Sequence, residues 1–297
     1  MKFKVIIPII LIVVCICLIT IFVFFHGSPR IPKAIIVDNL YLDELSPSGE
    51  NIPFVNETRK LLEDVGVKVD YVGVRDVTLE VYQNLVRYNL VILRVHSGLL
   101  VGEEAVCFFT SEPLRENLGK YSEWFSKGYL ANATLELRDG TKKHYIGVTP
   151  DFIRNCLNGK FENSTIIAMG CNSLESYSMA RAFVDHRKAL VYIGWTHDVT
   201  VDYTDNATLE LLKRFFQKNQ TVKEAIKGLK DSVTQAVLEY YPNRAANLCP
   251  KEIIEQLLEK KSSFISDFMD VFSWVLLISL SASNWFDSCY RRLFRKF

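Results

Sequence analysis

The sequence has no low-complexity segment and no internal repeat. It also lacks a charge excess, with 35 lysines and arginines against 34 aspartates and glutamates, a net charge of +1. A nucleic-acid surface draws its affinity from excess basic charge, so nucleic acid is not an expected partner. No glycine-rich phosphate loop is present, and the seven cysteines and five histidines show neither zinc-type spacing nor a disulfide framework. Neither a metal nor an organic cofactor is therefore expected. The 297 residues suffice for one large domain or two small ones.

Apolar length is concentrated at the two ends. Val5 to Phe25 carries no charge and matches the roughly 20 residues that span a bilayer core. It ends in Phe22-Val23-Phe24-Phe25 rather than in the small residues of a cleavage site, so an uncleaved anchor is expected. Phe268 to Phe286 has one charge, Asp270, and carries Trp274 and Trp285 toward its ends, where membrane interfaces attract indole rings. A second membrane-spanning or membrane-associated helix is expected there. The layout is then an anchor at 1–26, a linker at 27–33, an α/β domain at 34–262, the second apolar segment at 263–287 and a basic tail at 288–297.

Charge and sequons suggest an orientation. Arg291, Arg292, Arg295 and Lys296 in the tail, with Lys2 and Lys4 at the start, favour a cytoplasmic side for both termini. Asn-X-Ser/Thr occurs at Asn56, Asn132, Asn163, Asn206 and Asn219, five of sixteen asparagines, against about two by chance. All five lie between the apolar segments. The expected arrangement is a cell-membrane glycoprotein with its central domain outside and the bilayer as a partner. Cysteine use sits uneasily with this. A working thiol outside the cell needs surroundings that keep it reduced, and only Cys107, Cys156, Cys171 and Cys249 lie in the central domain.

Between the anchors, short apolar runs alternate with amphipathic stretches. Lys33–Val37, Val67–Val74, Asn89–Val95, Ile166–Met169 and Ala189–Trp195 read as strands. Phe54–Val65, Thr78–Val86, Ser176–Val184, Thr204–Gln217 and Thr221–Tyr241 read as helices. This alternation predicts βαβ units and a parallel sheet. An insertion interrupts it: Ala105–Thr110 as a strand, then a hairpin over Leu135–Lys143 in which Asp139-Gly140 suits a type I′ turn. Thr149-Pro150 starts a short helix to Leu157.

Two of the buried strands end in reactive side chains. "NLVILRV" runs into His96-Ser97-Gly98, and "TIIAM" runs into Gly170-Cys171-Asn172-Ser173. Ligands bind at the carboxyl ends of such strands. Neighbouring parallel strands lie about 4.8 Å apart, so an imidazole and a thiol there can cooperate. A helix N-terminus after Cys171 is expected to favour thiolate.

The order "VILRVHSG" then "TIIAMGCNS" resembles the caspase-like clan of cysteine peptidases, which includes caspases, legumain, gingipain, separase and CHAT domains. "LRDGTKKHYIGVTPDFI", "VYIGWTHDV" and "YTDNATLELLKRFFQ" resemble CHAT and separase segments flanking the cysteine strand. The resemblance covers about Lys33 to Val237. It implies a three-layer α/β/α sandwich around a mainly parallel sheet and a cysteine endopeptidase acting on protein or peptide, which the apolar segments above would anchor in the membrane. Cys171 would be nucleophile and His96 its proton-transfer partner. Oxyanion donors would be the Cys171 amide and one at Ser97 or Gly98. Clan members commonly have glycine directly after the histidine, where this chain has Ser97.

The resemblance also places the specificity pocket at the ends of the first strand and the strands flanking the cysteine. Asp38, Asp198 and Asp202 stand there, which implies cleavage after arginine or lysine; Asp205 is expected instead to cap a helix beginning near Asn206. Two other functions compete. One is an inactive scaffold or receptor ectodomain that keeps the fold. The other is a cysteine hydrolase of the glutamine-amidotransferase kind, pairing Cys171 with the later His197.

Overall fold

The computed structural model describes residues 31–43 and 49–267, with 269, 273, 274 and 277. The expected anchor at Val5–Phe25, the basic tail and most of Phe268–Phe286 lie outside the described residues. Among the described residues, no helix is long and apolar enough to cross a membrane. The chain divides into two units, Pro32–Glu255 and Met1–Ile31 with Gln256–Phe297. Of the second unit, residues 256–267 are helical. The sequence-based domain, 34–262, compares with Pro32–Glu255.

The strands of Pro32–Glu255 are β1 (Lys33–Asp38), β2 (Lys68–Val72), β3 (Leu90–Arg94), β4 (Ser97–Leu99), β5 (Val106–Pro113), β6 (Leu130–Glu136), β7 (Lys142–Val148), β8 (Thr165–Ala168), β9 (Val191–Trp195) and β10 (Leu238–Tyr241). The helices are α1 (Pro53–Glu63), α2 (Leu79–Gln83), α3 (Leu114–Asn117), α4 (Ser122–Ser126), α5 (Pro150–Cys156), α6 (Tyr177–Arg181), α7 (Val201–Phe216) and α8 (Val222–Ala225). A π-helical turn, Ala182–His186, continues α6.

The main sheet runs β10-β9-β8-β3-β1-β2. All its pairings are parallel except β10 with β9. The class is therefore α/β with a mixed, mostly parallel sheet. Right-handed crossovers put α1, between β1 and β2, on one face. They put α2, α5 and α6 on the other, because those connections step the opposite way along the sheet. Val91, Leu93, Ile166, Ala168 and Tyr192 bury against the α2, α5 and α6 side chains Tyr82, Phe152 and Met179. The alternate residues Ile36, Ile92, Ile167 and Ile193 are fully buried as well, on the face where α1 packs against α7. Covering both faces is why β3 and β8 read as unbroken apolar runs.

The insertion forms a second, antiparallel sheet in the order β4-β5-β7-β6. Its hairpin departs from the type I′ expectation. Gly140 has φ 82°, Gly140 N–H donates to Leu137 C=O, and Leu137 N–H donates to Thr141 C=O. Asp139 is not at positive φ, so the loop is a type I turn closed by a left-handed glycine, with one residue more than I′ allows.

Two helix expectations are also corrected. Thr221–Tyr241 is helical only at α8. The chain turns at Gly228, φ 78°, and returns through a Lys230–Val237 bridge into β10, whose Leu238-Glu239-Tyr240-Tyr241 suits an edge strand. Helix α7 begins at Val201, so Asp205 lies inside it and caps nothing.

Candidate active site

β3 and β8 pair directly, with Leu93 opposite Ala168, and Met169 N–H donates to Leu93 C=O at 2.9 Å. Beyond the ladder the Ser97 hydroxyl donates to Cys171 C=O at 2.6 Å. The approach is close enough to require glycine: a Cβ at Gly170 would overlap Ser97 Oγ and the Val95 carbonyl. The segments carrying His96 and Cys171 are thus held side by side at the carboxyl end of the sheet.

Cys171 sits on a turn clamped from β9. Asn172 is left-handed, φ 57°. Its N–H donates to His197 C=O at 3.0 Å, and its carboxamide donates to Asp198 Oδ1 at 2.6 Å. Ser173 is fully buried. Its hydroxyl donates to Ala168 C=O at 3.0 Å and accepts from Trp195 N–H at 2.9 Å, while Tyr192 donates to its carbonyl at 2.8 Å. Ser173 therefore staples β8 to β9 and holds the turn.

The thiolate expectation is corrected. Helix α6 begins only at Tyr177, so the helix N-terminus is not at the thiol. The Cys171 Sγ lies 3.6 Å from Val199 C=O. Burial, reinforced by the Asp198 carboxylate, pushes the thiol above its ordinary range, and backbone hydrogen bonding at Val199 and Cys171 only partly offsets this. The surroundings of Cys171 thus disfavour thiolate.

His96 is fixed at backbone and ring. Its N–H donates to Asn39 Oδ1 at 2.9 Å, and its carbonyl accepts from Phe109 N–H at 2.9 Å. Ring Nε2 lies 3.1 Å from Leu40 C=O. A carbonyl only accepts, so Nε2 carries the proton in this contact and Nδ1 is the basic nitrogen of the neutral ring. Asn39 is fully buried and also donates to Phe109 C=O at 2.7 Å. Its carboxamide stands where a peptide group would complete the His96–Phe109 pair.

Of the two oxyanion candidates after His96, the ladder separates Ser97 from Gly98. Leu100 N–H donates to Ala105 C=O and Phe109 N–H to His96 C=O, with Gly98 opposite Cys107. Alternation commits the Gly98 amide to β5 and turns the Ser97 amide away from it. Of the two amides, Ser97 N–H is the one left out of the β4–β5 ladder.

The carboxylates divide. Asp38 is fully buried and paired with Arg94, Oδ1 to Nη1 at 2.8 Å; it also accepts from Tyr71 Oη at 3.0 Å. Asp205 holds the rest of the guanidinium, at 2.8 Å and 2.9 Å. Burial alone would lower the Arg94 pKa, but the two carboxylates outweigh it and raise it. Asp38 is thus spent on a structural ion pair and is not open to a substrate side chain. Asp198 and Asp202 are exposed, Asp198 close enough to act on the thiol. His197 is exposed too, and contributes its carbonyl to the Cys171 turn.

Asn56, Asn132, Asn163, Asn206 and Asn219 are all exposed. Cys107, Cys156, Cys171 and Cys249 are free thiols. Among the described residues, no group of histidine, cysteine or acidic side chains is arranged to hold a metal. A groove of about 380 Å³ lined by Gln83, Asn84, Tyr121 and Trp124 contains none of the residues above. The sequence assigns no role to Asn39, Leu40, Arg94 or Ser173; Asn39 and Arg94 carry one signal, a polar residue at the end of an apolar strand, and Leu40 and Ser173 carry none. The sequence matches no protein-family model and no curated protein.

Proposed function

We propose that the chain is a membrane-anchored cysteine endopeptidase of the caspase-like clan. The observation that carries this reading is the pairing of β3 and β8 with His96 and Cys171 at their adjoining ends, joined by the Ser97–Cys171 contact. His96 Nδ1 takes the Cys171 proton as sulfur attacks the scissile carbonyl. The oxyanion forms against the Ser97 and Cys171 amides. His96 then returns the proton to the leaving amine, and water hydrolyses the thioester. The raised thiol fits a mechanism in which deprotonation accompanies attack.

A basic preference at the residue before the cleaved bond now rests on Asp198 and Asp202 alone. The membrane arrangement rests on the apolar ends, and the exposure of all five sequon asparagines is consistent with glycans on an outer domain. Protease added to sealed cells should then remove the central domain and spare both termini. Digestion of a C-terminal tag from outside would exclude the second span.

The inactive-scaffold reading has one observation in its favour, the raised thiol, since a scaffold has no use for thiolate. Hydrolysis decides. The purified full chain in detergent should cleave members of a peptide library, and Cys171→Ala should cleave none. Equal cleavage by both, or by neither, excludes the endopeptidase reading.

A further inference from the structure

One edge of β4 is open beside the candidate nucleophile. The bonds Phe109 N–H to His96 C=O and Leu100 N–H to Ala105 C=O fix the alternation, so residues 96, 98 and 100 face β5 while 97 and 99 face away. β4 is the end strand of its sheet. Among the described residues, no backbone group takes up the N–H or C=O of Leu99.

β3 tells where that edge looks. Its odd residues bond toward β8, as Leu93 does with Met169, and its even residues toward β1, as Arg94 does with Asn39. In β4 the even side is taken over by β5, with the Asn39 carboxamide at the changeover. The odd side, Ser97 and Leu99, continues on the side of β8. But β8 turns away at Gly170-Cys171, pinned there to Ser97 Oγ. The open edge of β4 therefore borders the space that β8 leaves at the candidate nucleophile.

We infer that this edge binds the segment of an extended peptide substrate that follows the scissile bond, as an added strand. The inference rests on the endopeptidase reading. Cys171 holds the acyl part, and His96, which protonates the leaving amine, runs straight into β4. The chain beyond the amine therefore leaves along β4. Ser97 N–H at the start of the edge receives the oxyanion, and Leu99 N–H and C=O two residues on pair with one substrate residue. Leu99 and Val101 are 49% and 103% exposed and give the edge an apolar rim.

The test compares kcat/KM of the full chain for peptides identical before the cleaved bond, with and without a few residues after it. Extension should raise kcat/KM about tenfold. N-methylation of the substrate residue that pairs with Leu99 should cost about fivefold, and of the residues on either side of it nothing. Leu99→Pro, which removes the outward N–H, should abolish the gain from extension. A hydrolysed short peptide with no gain on extension, or an N-methyl scan without that one sensitive residue, overturns this inference and leaves the endopeptidase reading standing. Failure of short peptides both to react and to label Cys171 overturns both. A wild-type dimer lost in Leu99→Pro would assign the edge to a second copy and overturn the inference.

Discussion

Asp38 and Arg94 stand opposite each other at the ends of β1 and β3, 2.8 Å apart, with neither side chain exposed. Phe54 of α1 lies 5.7 Å from the guanidinium carbon, and Asp205 of α7 closes the other side. The pair locks the carboxyl end of the sheet to the helices on one face, directly beneath the loop Asn39-Leu40 that holds His96.

Breaking that lock should destabilise the domain rather than change its selectivity. Arg94→Leu leaves the buried Asp38 and the partly buried Asp205 without a counter-charge, and removing one partner of a buried pair costs about 3–5 kcal/mol. Urea unfolding of the full chain in detergent measures it. A loss under about 1 kcal/mol would mean that water reaches the cluster.

Selectivity should instead follow the exposed carboxylates. Asp198→Asn with Asp202→Asn should lower cleavage after arginine and lysine about tenfold or more relative to other residues, because a charge-assisted bond is lost. Asp38→Ala should reduce stability and leave the preference unchanged. Library profiling that shows a change only in Asp38→Ala would reverse the assignment.

Asn39→Ala should loosen His96 without touching the nucleophile. It strips the partner from His96 N–H, while Phe109 C=O keeps the Tyr82 hydroxyl, and a buried donor left unpaired costs about 1–3 kcal/mol. Nitrogen shifts of labelled histidine report the tautomer: wild-type His96 should carry its proton on Nε2, opposite Leu40, and the variant should show a mixture. An unchanged spectrum in Asn39→Ala would leave Asn39 with no positioning role.

The thiol supplies a pH signature. A raised pKa means less thiolate at any given pH, so alkylation of Cys171 should increase with pH through a midpoint above that of an ordinary cysteine. Stability contributed by holding the proton is full below the ordinary thiol range and is lost as pH rises through the raised value. Asp198→Asn removes one of the groups that raise it and should move the midpoint down. Cys107, pushed up to about 12 by burial, should stay unreactive throughout. A midpoint in Cys171 below the ordinary range would contradict this environment.

The sequence pattern was informative where one residue type filled a whole element. Leu90-Val91-Ile92-Leu93 and Ile166-Ile167-Ala168 are apolar on both faces, too short for a buried helix and β-branched enough for a covered parallel strand, and His96 and Cys171 are legible because they follow those runs. Partners distant along the chain were not. Nothing local tells that Asp205 reaches back to Arg94, 111 positions earlier, so Asp38 looked free and Asp205 looked like a cap. Asn39 resembles any strand-ending polar residue because its side-chain partners, His96 and Phe109, lie far along the chain. The stretch 221–241 has helical spacing throughout, and its turn at Gly228 and pairing with β9 override that propensity.

The most direct test of the dyad is the rate at which an electrophilic peptide probe labels Cys171, read by mass spectrometry of the full chain. Wild type should acquire one adduct, on Cys171, and His96→Ala should label at least a hundredfold more slowly while His197→Ala labels at close to the wild-type rate. An adduct that forms equally fast in His96→Ala, or a loss confined to His197→Ala, would contradict the assignment of His96 as the partner of Cys171.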